Sequence, residues 1–562
     1  MTRVAANPEL GRAGRPTAWL RRAAGRLGVA PREWACLGPI LVLAAAARFV
    51  SLSTRGIWDT DQGFETGAIW NAVQTRQLPT FGSPAFTFGG TFHHGALFYD
   101  LMMPFAWIGN GNPLVIVAAI ATFGLLVVPL VWWTARSMGG TAAGLAAALL
   151  AAVSPSLIDY STFIWNPVLL EIGSAVAVFG AWQAWSTRQP RWWVVAAAGT
   201  AVAAQAHLTG LVMVFPMTIL FLLAMRRGPS EVRRRLLKWG LFGVGLFLFT
   251  WLPLIVSELG HNFAETRAIL AFNQPGVNAA DPITRVVFGV IRLLGWPMTH
   301  WPIDNLIPGF PEALTIAVGI AVGMIWRLTS VLSRPGTSAA SAASAARAPS
   351  APSATPSTTS ERDGLRFVAG TLALIVLVLS LGLKEISQIQ NTNQEQYHVI
   401  ADVPALLAAG LVIGGIWRAK PWARRAWFGP ALALIVLSGV VVVGVSHWPP
   451  AVSPAGDWPS AQAAATRIER SAPGGAVSLV NLPFFKQADA YTYPLQLDGV
   501  PLVTPDKAAT VVILCDSGWY SGCGGAAEEL WRLGAADSVS LRLVDRFQAA
   551  PQRTLSIYRR VP

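Results

Sequence analysis

A chain of 562 residues that is 53% hydrophobic, only 13% charged and has a mean hydropathy of +0.47 carries more apolar surface than a soluble core can hide. Its repeated apolar runs, roughly 15 to 24 residues each, match the length that spans a bilayer and mark a mainly α, polytopic helical membrane protein. The net charge of +13 would suggest nucleic acid in a soluble domain, but residues 448–562 hold as many acids as bases, so the excess lies in the membrane portion and is a topology signal.

In chain order, residues 1–35 are Arg-rich and lack the short apolar core and cleavage site of a signal peptide, which predicts a retained basic cytoplasmic tail. About eleven spans follow, at 36–52, 113–135, 139–153, 167–186, 191–207, 211–225, 238–257, 312–328, 365–383, 399–416 and 427–447. With these spans the tail, Arg136, Arg188 with Arg191, the basic run 226–238, Arg327 onward and the basic run 418–425 share one face, which the positive-inside rule makes cytoplasmic. Were the apolar piece 94–109 another crossing, Arg136 and the 226–238 run would move outside, so it is expected to lie in the interface or re-enter. The same reasoning breaks 191–225 into two helices near His207–Gly210. Residues 286–297 are too short to span and are expected along the surface. The Ser/Ala/Pro stretch 333–363 lacks apolar periodicity and reads as a disordered cytoplasmic linker. Together, 36–447 form the transmembrane domain.

Residues 448–562 alternate strand-like runs, Ala476–Val480, Thr510–Leu514, Ser540–Val544 and Thr554–Tyr558, with helix-like stretches at 460–470 and 525–533. That pattern predicts a small extracytoplasmic α/β domain. Cys515 and Cys523 lie there, where either a disulfide or two free thiols is chemically allowed.

The first outer loop, 53–112, gathers Asp59, Asp61, Glu65, His93 and His94 in a chain otherwise poor in charge. Asp61 opens a helix-like run, DQGFETGAIWNAVQTRQ, where an aspartate serves equally as helix N-cap or as a base. Asp59 and Glu65 raise the local acid density, which favours a raised proton affinity on one carboxylate. Adjacent His93 and His94 do not share a helix face, so they suit hydrogen bonding to a hydroxyl or phosphate better than metal ligation. The second outer loop, SPSLIDYSTFIWNP, offers Tyr160 and Asn166, either as interface anchors or as ligand contacts, and His207 ends a span where a lone polar residue marks a cavity. There is no P-loop, GxGxxG, HExxH, clustered CxxC or GxSxG motif, so a nucleotide donor, a zinc protease and a serine hydrolase have no footing.

The order of these features resembles the type C glycosyltransferases, in particular the group containing the protein O-mannosyltransferases and the aminoarabinose lipid A transferases. Trp58–Phe64, WDTDQGF, is similar to that group's Asp-Glu-x-x-aromatic motif, and His94–Tyr99, HGALFY, to its His-Pro-Pro-Leu-Tyr-Tyr. Ser-Pro followed by Tyr-Ser in the second outer loop, Gln-x-His at 205–207, and Asn391–Pro404, which resembles its Arg/His-Tyr-x-x-x-x-x-Pro, complete a likeness over roughly 36–416. The resemblance implies a GT-C fold and sugar transfer outside the cytoplasm from a polyprenyl-phosphate donor, usually with inversion, to a hydroxyl of a glycan, lipid or protein, with membrane lipids but no nucleic acid as partners.

By that match Asp61 is the catalytic base, with Asp59 a second candidate. Glu65, His93, His94, Tyr99, Tyr160, Asn166, His207, Tyr397 and His398 are candidate substrate contacts. No metal site or cofactor is called for, and the need for a divalent cation is left open. Two departures stand out: Gln62 replaces the usual Glu, and Ser161-Thr162 lacks the usual arginine, leaving His93, His94, His207 or an arginine of 258–311 to meet the lipid phosphate. Rival readings are a lipid-linked sugar transporter, which would place charge deep in broken spans, and an envelope scaffold acting through its α/β tail.

Overall fold

The structure, a computed structural model, describes residues 30–87, 90–227, 229–271, 280–300, 309–332, 358–382, 398–419, 427–483, 488–518, 520–523, 525–533 and 541–561. The predicted tail over 1–29, most of the linker, and Tyr397 fall outside them. Helix α1 (Pro31–Phe49) is followed by α2 (Thr60–Thr75), a hairpin of β1 (Pro84–Thr87) and β2 (Gly90–His93), and α3 (Leu97–Ile108). The bundle continues through α4 (Pro113–Gly139), α5 (Thr141–Val153), α6 (Leu169–Thr187), α7 (Trp192–Ala206), α8 (Val214–Arg227), α9 (Ser230–Thr250), α10 (Leu252–Gly260), α11 (Ala264–Leu270) and α12 (Pro282–Thr299). It closes with α13 (Phe310–Leu332), α14 (Thr358–Gly382), α15 (Asp402–Arg418) and α16 (Phe428–Ser446).

Among the described residues seven helices are long and apolar enough to cross a membrane, α4, α6, α13, α14, α15, α16 and the 208–227 unit containing α8. The pair α9 and α10, bent by 60°, would make an eighth. The other predicted spans are helical but fail that test: α5 and α7 have 13 and 15 residues, and α1 carries Arg32, Glu33 and Arg48. The chain breaks at His207, as expected, through a 3₁₀ turn at Leu208–Met213. Helix α3, at 12 residues, is about 18 Å long, short of the ~30 Å hydrocarbon core.

Two expectations change. Helix α12 starts at Pro282 and buries its last residues, Ile291–Thr299, against α13 and α14 instead of lying along the surface. Its close approach is possible because Gly295 faces the Ala313 backbone, where a Cβ would stand 2.5 Å from the carbonyl oxygen. The stretch expected to be linker to residue 363 is helical from Thr358.

Small residues let the short helices pack closely. Between α6 and α7 a Cβ on Gly199 would stand 2.3 Å from the Ala177 amide nitrogen, and between α5 and α15 one on Gly414 would stand 2.6 Å from the Ala143 Cβ. At one face the helix ends are joined by polar contacts: Arg136 with Glu33 (2.6 Å), Trp182 Nε1 donating to Ser137 Oγ (2.6 Å), Arg327 and Arg418 with Glu361, and Arg227 over the Trp185 ring. Arg136, Arg227, Arg327 and Arg418, which the sequence placed on one side, thus meet on one side. The loop carrying Asp61 lies at the other.

At that opposite, loop face sit α17 (Trp458–Ser471), β3 (Val477–Leu482), α18 (Asp489–Leu497), β4 (Thr510–Asp516), α19 (Ala526–Leu533), β5 (Leu541–Ala550) and β6 (Arg553–Arg560). The sheet order is β3-β4-β6-β5, with β3 parallel to β4 and the remaining pairs antiparallel. Every residue of β4 is buried, as its unbroken apolar run requires of a central strand. Cys515 and Cys523 form a disulfide.

A Gly199→Ile variant should overpack the α6–α7 seam, costing about 1–3 kcal/mol or more, and lower the thermal unfolding midpoint in detergent. Gly319→Ile, where nothing lies within 4 Å of the new Cβ, should leave it unchanged.

Candidate active site

The loop face is built from the start of α2. Asp59, not Asp61, caps this helix: its carboxylate accepts from the Thr60 amide at 2.7 Å, and Gln62 Oε1 accepts from the Asp59 amide at 3.0 Å. Gln62, the departure from the family's Asp-Glu pair, therefore closes a capping box. Asp59 Oδ1 also pairs with Arg553 Nη2 at 2.8 Å. Asp61 stands in the first helical turn with its side chain exposed on the loop face, and capping does not fall to it.

One turn below Asp61, Glu65 is buried and accepts a hydrogen bond from the Ser83 hydroxyl, with Tyr99 adjoining. Burial, helped by the negative charge of Asp61, pushes its pKa up to about 8, so Glu65 holds a proton at neutral pH. Ser83 in turn fixes His94: the His94 amide donates to the Ser83 carbonyl and the Gly82 amide to the His94 carbonyl, each at 2.9 Å. Burial pushes the Tyr99 phenol well above its ordinary value.

His94 stacks on His207, with ring centroids 4.7 Å apart and planes at 30°. The Gln-x-His motif explains the meeting. Gln205 Oε1 accepts from the Leu97 amide at 3.3 Å and packs against Gly95, where a Cβ would stand 2.2 Å from that oxygen, so the two motifs are locked together. Asn166 donates to the Ala206 carbonyl, bracing the same turn. His207 Nδ1 lies 2.8 Å from the Thr209 hydroxyl and 3.2 Å from the Thr209 amide, which hold the ring in place. Burial pushes His94 down to about 4, so this imidazole is neutral at physiological pH.

His93 points away from its neighbour, its Nδ1 3.0 Å from Glu265 Oε1 on α11 while its amide donates to Glu265 Oε2. Tyr160 is buried against Phe163, with ring centroids 5.7 Å apart. His398 is buried beside Trp296, part of a second polar group in which Asp159 meets His300 (3.6 Å) and Ser156 Oγ donates to Asp402 Oδ2 (2.5 Å). Arg48 and Glu171 are fully buried near it, Arg48 donating to the Ala44, Ala151 and Ala152 carbonyls. Among the described residues no group of three or more His, Cys, Asp or Glu is arranged to hold a metal ion.

The structure thus links Asp61, Glu65, Tyr99, His94 and His207 through Ser83 and Gln205, and sets Asp59 and His93 to holding the scaffold. Sequence reasoning missed Ser83, Arg553 and Asp402. Gln205 and Asp402 each lay within a quoted motif, whereas Ser83 and Arg553 carried no signal.

Residues 96–254 match the family model described as dolichyl-phosphate-mannose-protein mannosyltransferase. Among solved structures the chain superposes on ArnT from Cupriavidus metallidurans in the apo state with a TM-score of 0.55 at 13% identity, covering 92% of this chain and 97% of that one. The chain has the type C glycosyltransferase fold. A second ArnT structure, bound to undecaprenyl phosphate, matches with a TM-score of 0.53 at 14% identity over 94% of this chain and 98% of that one. No curated protein sequence matches. Within this GT-C chain the family match contains Tyr99, Tyr160, Asn166 and His207, whereas Asp59, Asp61 and Glu65 precede it.

The pKa of Glu65 makes a signed prediction. The folded chain keeps this proton up to about pH 8 while the unfolded chain releases it near 4.5, so its contribution to stability is fully present below pH 4.5 and is lost as pH rises through 8. The unfolding midpoint in detergent should fall between pH 6 and pH 9, and the neutral isostere Glu65→Gln should flatten that slope. An unchanged slope in the variant contradicts the assignment.

Proposed function

We propose that this chain is an integral membrane glycosyltransferase that moves a sugar from a polyprenyl phosphate to an acceptor hydroxyl on the extracytoplasmic face, with Asp61 as general base. The observation that carries the reading is the division of labour at the start of α2: Asp59 is committed to capping and to Arg553, Glu65 is buried against Ser83, and Asp61 stands exposed between them. The location rests on the charge rule, since the basic helix ends meet at the face opposite Asp61.

In this reading the Asp61 carboxylate takes the proton of the acceptor hydroxyl as that oxygen attacks the anomeric carbon. The bond between that carbon and the phosphate oxygen breaks with its electron pair, and a single displacement inverts the centre. The stacked imidazoles of His94 and His207 supply ring N–H groups for the departing lipid phosphate, where fixed donors contribute most to rate. An apolar cavity of about 1120 Å³ between α12, α13, α15 and α16 suits an isoprenoid chain. Pro297 and Met298 line it and sit just before His300, so it lies beside the polar group at Asp159. The solved ArnT structure with undecaprenyl phosphate supports a lipid carrier of that class.

A transporter would need charge along the spans. Arg48, Glu171 and Asp402 instead occupy the terminal turns of α1, α6 and α15.

The test is release of undecaprenyl phosphate from undecaprenyl-phosphate-linked pentoses and hexoses in liposomes containing envelope extract as acceptor. Asp61→Asn should lower turnover by about 10²–10⁴-fold with an unchanged unfolding midpoint. Wild-type turnover in that variant would move the base elsewhere.

A further inference from the structure

The C-terminal sheet is tied to the start of α2 by more than surface contact. Arg553, the first residue of β6, is 4% exposed and reaches a backbone carbonyl and two carboxylates at once. Its Nη1 donates to the Trp58 carbonyl at 2.9 Å, its Nη2 pairs with Asp59 Oδ1 at 2.8 Å, and its Nε lies 3.6 Å from Asp516 Oδ2. Asp516 is the last residue of β4 and the ladder partner of Arg553, next to the disulfide-bonded Cys515. The same segment is gripped elsewhere. Trp58 Nε1 donates to the Ala490 carbonyl at 2.7 Å, the Trp58 amide donates to the Gly456 carbonyl at 3.0 Å, and the Trp58 ring meets Trp458 edge-on at 4.6 Å. One turn on, Gly63 lies so close to the Asp489 carbonyl that a Cβ would stand 2.1 Å from its oxygen.

We propose that Arg553 is a positioning residue for the transfer reaction: through Trp58 and Asp59 it fixes the first turn of α2 and so the place of the Asp61 carboxylate, making the C-terminal sheet a working part of the site. This rests on Asp61 being the base. A planar guanidinium can serve a carbonyl and two carboxylates together, whereas an ammonium on the same stem cannot. Loss of Arg553 removes a cation from beside the Asp59 carboxylate and a donor from the Trp58 carbonyl, so the first turn loses one of its anchors.

The test uses the full chain in a Cys36→Ser background. Arg553→Ala and Arg553→Lys are compared with Asp516→Asn and with Arg467→Ala, which breaks an exposed ion pair of the same domain and should leave turnover at the wild-type level. Arg553→Ala should lower kcat by about 10- to 100-fold with donor KM nearly unchanged, and Arg553→Lys and Asp516→Asn should fall between it and wild type. Arg553→Ala combined with Asp59→Asn should be no worse than the more damaging single variant. An activity-independent readout separates this inference from the identity of the base: with Asp61→Cys, labelling by an impermeant maleimide should change about threefold or more when Arg553→Ala is added. Wild-type kcat in Arg553→Ala, multiplicative effects in the double variant, or unchanged labelling overturns the proposal. Full activity in Asp61→Asn with altered labelling would fault the assignment of the base alone.

Discussion

The loop face depends on how residues 58–63 are held. This segment follows α1 and is caught between the bundle and the C-terminal sheet, with Trp58 buried among Trp458 and Tyr493 and Asp59 facing Arg553. Arg553 is buried while Asp59 is partly exposed, so it is the guanidinium that depends on the carboxylates of Asp59 and Asp516 for compensation. The arrangement therefore fixes one orientation of α2, with Gln62 and Glu65 turned inward and Asp61 turned toward the loop face.

From that fixed turn the rest of the site follows by short links. Glu65 engages Ser83 at the start of the hairpin, the hairpin delivers His94, and Gln205 brings His207 beneath it. The first links stay within the outer loop, and the last ties that loop to the end of α7, where polar groups can be satisfied without entering hydrocarbon. The bundle supplies rigidity through small residues in the α6–α7 and α5–α15 seams, so helices of 13 and 15 residues hold their place by backbone proximity.

Much of this was legible in the sequence because membrane helices and central strands announce themselves locally. Apolar length located α4 to α10 and α13 to α16, the charge rule separated the two faces, and the apolar run Thr510–Leu514 marked β4. The motif order singled out His94 and His207 as candidate contacts, and their stacking is a finding of the structure. The capping residue was left open in the sequence because Asp59 and Asp61 are both good caps, and a group that engages Asp59, Arg553, lies at the far end of the chain. The inward turn of Glu65 was hidden for the same reason, since Ser83 carries no motif. Helix α12 looked too short because Arg285 and Arg292 interrupt its apolar run, yet Arg292 is 2% exposed and the helix packs along its C-terminal half.

The central claim is that Asp61 and the stacked histidines border one reaction centre. The most direct measurement is a cryo-EM structure of the Asp61→Asn protein with an undecaprenyl-phosphate-linked sugar. The account predicts the sugar between residue 61 and the imidazoles of His94 and His207, with the phosphate on the histidine side. A sugar phosphate bound at the face of Arg136 and Arg327, or at the loop face with residue 61 out of reach of the anomeric carbon, would contradict it.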